Sequence, residues 1–168
     1  SAAVYPNIQK IEFRIDDPNA TTGTLSVRGE GFSAITYPSI AQNETLDVLS
    51  DLDGATASQA GDGVSLFQYV RTGLPPQNSG FSFNYDLLTT ESFNRWAGGR
   101  INFGNTFDTQ TKNLVLSVDR AADATSPAYY MMDVVDVHGI TVTLKVDVFG
   151  KIAITNALLQ SAQAEGFD

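Results

Sequence analysis

The chain has 168 residues, with 19 acidic and 10 basic side chains, one histidine and no cysteine. Without thiols there are no disulfides, thiolate metal sites or cysteine nucleophiles. A net charge of −9, with Lys and Arg scattered singly, leaves no footprint for nucleic acid or anionic lipid.

The hydrophobic fraction of 42% is that of an ordinary globular protein. No apolar run approaches the roughly 20 residues a membrane-spanning helix needs. The expectation is one domain over residues 1–168 with flexible termini, its acidity serving solubility. Ser1-Ala2-Ala3-Val4-Tyr5 has neither the basic nor the apolar region of a secretory signal.

In chain order, Ile11, Phe13 and Ile15 alternate with Lys10, Glu12 and Arg14, which is the period of a half-buried strand. Asp16-Asp17-Pro18-Asn19 is a turn cluster. Thr24 to Val27 resumes as a strand that Gly29 and Gly31 interrupt, and Phe32 to Tyr37 forms another, ended by Pro38. Glu44 to Leu49 fits either a short strand or a helical turn, and the small, acidic stretch Ser50 to Gly63 reads as a surface loop. Val64 to Val70 is a strand candidate, and Gly73 to Gly80 is a connection stiffened by Pro75-Pro76.

Phe81, Phe83, Tyr85 and Leu87 then alternate with polar residues in an aromatic strand. Thr90 to Trp96 is a short-helix candidate with Thr90 as cap, ended by Gly98-Gly99. Arg100 to Phe103 predicts a short strand, Gly104 to Thr111 a polar loop, and Leu114, Leu116 and Val118 the next strand. The apolar run Tyr129 to Val137 leads through His138-Gly139, a tight-hairpin signature, into Ile140, Val142, Leu144, Val146 and Val148 on alternate positions. Gly150-Lys151 turns again into Ile152 to Ile154, so this third reads as a three-stranded meander whose Ile140 strand is central. Asn156 to Ala164 has helix formers.

Eight or nine strands with one or two short helices, no βαβ rhythm and no repeat predict an all-β protein. The architecture is an antiparallel β-sandwich of about eight strands, jelly-roll or immunoglobulin-like, with the jelly roll preferred.

Asp51, Asp53 and Asp62 occupy the first, third and twelfth places of a candidate calcium loop. Ala55 has no side-chain oxygen for the fifth place and Thr56 replaces the sixth-place Gly, so an acidic solvated loop is the preferred reading. His138, in a predicted turn, reads as a turn residue and not as part of a triad. Asp133 and Asp136 are the acid pair a glycosidase would need, but three positions apart on a strand they face opposite ways. Trp96, Phe93, Tyr129 and Tyr130 are the aromatics that would stack on a sugar ring, with core filling the simpler role. Asn19-Ala20-Thr21 and Asn43-Glu44-Thr45 match the short glycosylation sequon.

From Phe103 the sequence reads FGNTFDTQTKNLVLSVD, followed by a small-residue loop and a long strand pair. This resembles the second half of the vertical jelly-roll coat subunits of icosahedral, often membrane-containing, viruses. The resemblance implies a virion location, a shell built from copies of this chain and other subunits, and no cofactor. It carries over no functional residues. Ser1 to Gln9 lacks the basic arm of coat proteins that package a genome directly.

The expected function is therefore non-enzymatic self-assembly, with an extracellular carbohydrate-binding or adhesin-type module as alternative. A jelly-roll hydrolase using Asp133 or Asp136 is the third reading.

Overall fold

The computed structural model describes residues 7–35, 40–44, 56–70, 80–88, 96–110, 112–121 and 126–164. Within them the chain runs through β1 (Asn7–Ile15), β2 (Thr22–Ile35), β3 (Ile40–Glu44), β4 (Thr56–Gly61), β5 (Val64–Val70) and β6 (Gly80–Asp86). It continues through β7 (Ala97–Asp108), β8 (Lys112–Arg120), β9 (Tyr130–Asp136), β10 (Thr141–Val146), β11 (Gly150–Ile154) and α1 (Asn156–Ala164). No helix among the described residues is long and apolar enough to cross a membrane.

Two antiparallel sheets stack on one another, as expected of an all-β sandwich. The first has the order β10-β9-β1-β7-β4, and the second β11-β8-β2-β6-β5, with β3 paired to β2 off that path. The pairings β1 with β9, β2 with β8, β4 with β7 and β5 with β6 nest inside one another and alternate between sheets. An outgoing limb and a returning limb thus form one ribbon wound across both layers, the construction that underlies jelly rolls.

Side-chain phase sets which face is buried. In β1, Ile11, Phe13 and Ile15 are buried on alternate positions, and Ile8 is buried out of that phase. The register slips between Ile8 and Lys10 against both neighbours, so Gln9 is a bulge that turns Ile8 back to the core. Aromatic rings form a seam: Phe13 reaches across the layers to Phe81 at 6.0 Å, and within the sheets it lies 6.1 Å from Tyr130 while Phe67 stacks on Phe81 at 5.5 Å. Gly99 of β7 makes room for this seam, because a Cβ there would sit 2.3 Å from the Phe81 ring.

The C-terminal third departs from the predicted meander. β9 and β10 form the expected hairpin, but β11 pairs with β8 in the other sheet, and β10 is an edge strand instead of a central one. Phe149 sits at the crossing: it packs edge-on against Tyr130 of the first sheet at 5.3 Å while the guanidinium of Arg120, on β8 of the second, lies 3.9 Å from its ring centre. Val148, one position earlier, is exposed. α1 packs against β10 with Leu159 and Ala162 buried. Its first turn is capped by Thr155, whose Oγ1 accepts from the Leu158 N–H at 3.0 Å.

Other boundaries also move. The stretch read as a loop before Gly63 contains β4, held to β7 by backbone pairing. β2 runs unbroken through Gly29 and Gly31 with a register slip between them, and β7 extends over the predicted polar loop to Asp108. The short helix predicted at Thr90 to Trp96 lies outside the described residues, except for Trp96 itself.

Candidate functional site

Among the described residues, the outer face of the first sheet carries a row of charged and polar side chains. Register aligns Thr143 with Asp133, Asp133 with Glu12, and Glu12 with Arg100. Arg14 grips Asp133 through Nε to Oδ2 at 3.0 Å and Nη2 to Oδ1 at 3.1 Å, while the Thr143 hydroxyl donates to Oδ1 at 2.5 Å. Arg100 meets Glu12 at 3.1 Å. The charge-assisted hydrogen bond from Arg14 Nη2 and the bond from the Thr143 hydroxyl fix the Asp133 side chain. Asp133 is therefore a strut between three strands.

Asp136 faces the other way, as alternation requires. It is wholly buried, and its Oδ1 accepts the N–H groups of His138 at 2.8 Å and Ile140 at 2.9 Å. That arrangement organises the β9–β10 turn, with Gly139 at φ 82° and exposed His138 as a turn residue. The two acids of the hydrolase reading thus stand on opposite sides of β9, each engaged by protein donors.

One residue beyond the paired end of the first sheet, a second group converges. Continued past their last pairs, Ile15 with Ala97 and Arg14 with Met131, the registers bring Trp96 and Tyr129 level with Asp16 along the neighbouring chains. Lys145 Nζ lies 4.2 Å from the Tyr129 ring centre, and Arg14 Nη1 is 4.0 Å from Asp16. Burial pushes the Asp16 carboxyl above its ordinary value, which the Arg14 charge only partly offsets. Burial also raises Tyr129, with the nearby Asp16 and Asp17 charges acting in the same sense.

The aromatic candidates separate. Trp96 is half-buried and lies against the end of β4, where a Cβ on Gly61 would meet its ring at 2.8 Å. Tyr129 is half-buried with a cation on its ring. Tyr130 is wholly buried in the aromatic seam, so it offers no face to a sugar. Phe93 lies outside the described residues.

Of the calcium-loop acids, Asp51 and Asp53 lie outside the described residues, and Asp62 is exposed on the bend between β4 and β5. Among the described residues no group of three or more His, Cys, Asp or Glu is placed to hold a metal ion.

Asp17, which the sequence places in a turn cluster, has that role and a second one. It is buried, with Oδ1 accepting from the Asn19 N–H at 2.9 Å and Oδ2 from the Ala128 N–H at 2.8 Å. The Asp-Pro-Asn string signals the first of these bonds; no local signal reports the second. No protein-family model, curated protein or solved structure matches the chain.

Proposed function

We propose that this chain is a non-enzymatic structural protein that works by self-association. The setting favoured by the coat-protein resemblance is a virus shell, built from this chain and other shell subunits. The observation that carries the reading is how the acids are used: Asp133 braces β1, β9 and β10, and Asp136 and Asp17 hold turns through backbone N–H groups. Chemistry directed inward in this way makes a stiff two-layer block, the mechanical requirement of a shell subunit. Light scattering coupled to size-exclusion chromatography tests it over a range of concentration and salt. Large oligomers or particles at neutral pH are expected; a monomer throughout would overturn the reading.

The placement of Trp96 and Tyr129 around Asp16 favours one second reading, a carbohydrate-binding module. Two rings flanking a carboxylate at one sheet end could stack on a sugar while the acid accepts from its hydroxyls. Titrating glycans against Trp96 fluorescence checks this: a saturable shift lost in Tyr129→Ala supports it, and a flat response over a glycan panel removes it.

A further inference from the structure

We infer that the β1–β2 turn is a guarded self-cleavage site: the Asp17–Pro18 peptide bond stays whole while Ala128 holds the Asp17 carboxylate, and is cut in mild acid once that hold opens.

Asp17–Pro18 is the one Asp-Pro pair in the chain. A prolyl nitrogen belongs to a tertiary amide, which is easier to protonate and to expel than an ordinary peptide nitrogen. The aspartate ahead of it supplies the nucleophile. In acid, an ionised side-chain oxygen bonds to the residue's own carbonyl carbon and closes a five-membered anhydride ring. The C–N bond breaks, its electron pair stays on the Pro18 nitrogen, and that nitrogen leaves with a proton from the medium. Water then opens the anhydride to an Asp17 that carries both carboxyl groups. One water is consumed, and nothing is oxidised or reduced. An attacking group on the same residue has a high effective concentration, so its freedom to swing controls the rate.

The fold removes that freedom. Asp17 is only 2% exposed, and each carboxylate oxygen has a backbone donor: Oδ1 the Asn19 N–H at 2.9 Å, Oδ2 the Ala128 N–H at 2.8 Å. Beyond the scissile bond the turn is pinned as well. The Ala20 N–H donates to the Asp17 carbonyl oxygen at 3.0 Å, and the Leu87 N–H to the Thr21 carbonyl oxygen at 2.8 Å. The Ala20 contact polarises the very carbonyl to be attacked, so what the chemistry lacks is a mobile carboxylate. Pro18 and Asn19 are exposed, which gives acid and water access to the leaving side.

Of the two donors, Ala128 is the one that can withdraw. Asn19 belongs to the turn itself, whereas Ala128 is an exposed residue on the approach to β9, 111 positions away. Local opening of such a segment costs less than unfolding the sheets. The charged and titratable groups around the carboxylate are Asp16 beside it, Arg14 and Lys145 acting on Asp16, and Tyr129 next to Ala128. Asp16 loses its charge early as acid is added, because burial holds its carboxyl above the ordinary value. Repulsion between the two neighbouring acids then falls, so the clamp persists into the range where the bond is labile. β1 pairs with β7 on one side and β9 on the other, so a cut at Asp17 leaves it seated in the first sheet.

The test follows the chain by mass spectrometry under denaturing conditions, after incubation at the lowest pH at which circular dichroism shows the native fold. The parent is compared with itself unfolded in urea at that pH. The unfolded chain should give the pieces 1–17 and 18–168, and unfolded Pro18→Ala should give neither. The folded parent should be cut at least about tenfold more slowly. Ala128→Pro lacks the donating N–H, so its folded form should be cut within about threefold of the unfolded rate. Ala128→Ser keeps that N–H and should behave as the parent. If Ala128→Pro does not fold, the parent in urea below its unfolding transition replaces it, and cutting should rise there before the sheets unfold. Equal cutting of folded and unfolded parent overturns the proposal, as does an unfolded parent that stays whole. A folded Ala128→Pro as resistant as the parent, or cutting that tracks only global unfolding, overturns it too.

Discussion

Asp17 accepts a hydrogen bond at 2.8 Å from the backbone N–H of Ala128, 111 residues further along the chain. The same carboxylate holds the Asn19 N–H, so one side chain fixes the β1–β2 turn and the approach to β9 together. Asp17→Ala removes both acceptors and should cost about 2–4 kcal/mol. Asp17→Asn keeps a single carbonyl acceptor and should cost about half as much. Urea unfolding checks this, with the midpoint moving and the m-value unchanged.

Two glycines separate crowding from backbone strain. Gly99→Ala places a methyl 2.3 Å from the buried Phe81 ring, so the sheets must part, at about 2–4 kcal/mol. Gly139→Ala meets nothing within 4 Å and suffers only from φ of +82°, about 1 kcal/mol. Thermal melts of the two variants should differ in that order; equal losses would contradict the packing described for β7.

The Tyr130 hydroxyl is buried and meets no hydrogen-bond partner among the described residues. Burial raises its ionisation far above the ordinary phenol range. Tyr130→Phe keeps the ring contacts with Phe13 and Phe149 while removing the desolvated oxygen. The variant should be as stable as the parent or more stable by about 1–2 kcal/mol. A clear loss of stability would mean that the hydroxyl has a partner.

Asp16 gives a pH dependence of definite sign. Its folded value lies above the ordinary 3.8, so the native state binds more protons than the unfolded chain between the two values. Stability contributed by this group is therefore lost as pH rises through that window. Asp16→Asn should be more stable than the parent at neutral pH, and the difference should vanish below the ordinary carboxylate value. Melting both proteins from pH 3 to pH 7 reads it directly; an asparagine variant less stable at neutral pH would show that the Arg14 attraction outweighs burial.

What was legible in the sequence depended on whether the deciding forces were local. Phe81, Phe83 and Tyr85 alternate and are buried on one face, because period-2 patterning is the direct imprint of a covered sheet. Thr56–Gly61 has no such imprint, since its strand is held by pairing with β7, and it read as a loop. The five aliphatics from Ile140 marked a covered strand but not its position in the sheet. Part of that cover comes from α1, which no periodicity makes visible. For the candidate site, alternation separated Asp133 from Asp136, and His138 was rightly read as a turn residue. The grouping of Trp96, Asp16 and Tyr129 depends on three strands meeting at one sheet end, which no spacing along the chain records.

The nested ribbon also dictates the order in which this protein can form. Among the described strands, β2 with β3, β5 with β6 and β9 with β10 join close neighbours; β1 must wait for β9, more than a hundred positions later, before its second ladder closes. Such distant closures carry the largest loop entropy and place refolding in the slow class, on the order of milliseconds to seconds. During that interval the uncharged β5 segment stands open beside its hairpin partner, so conditions that delay the outer windings should favour tangled aggregates over correctly folded chains.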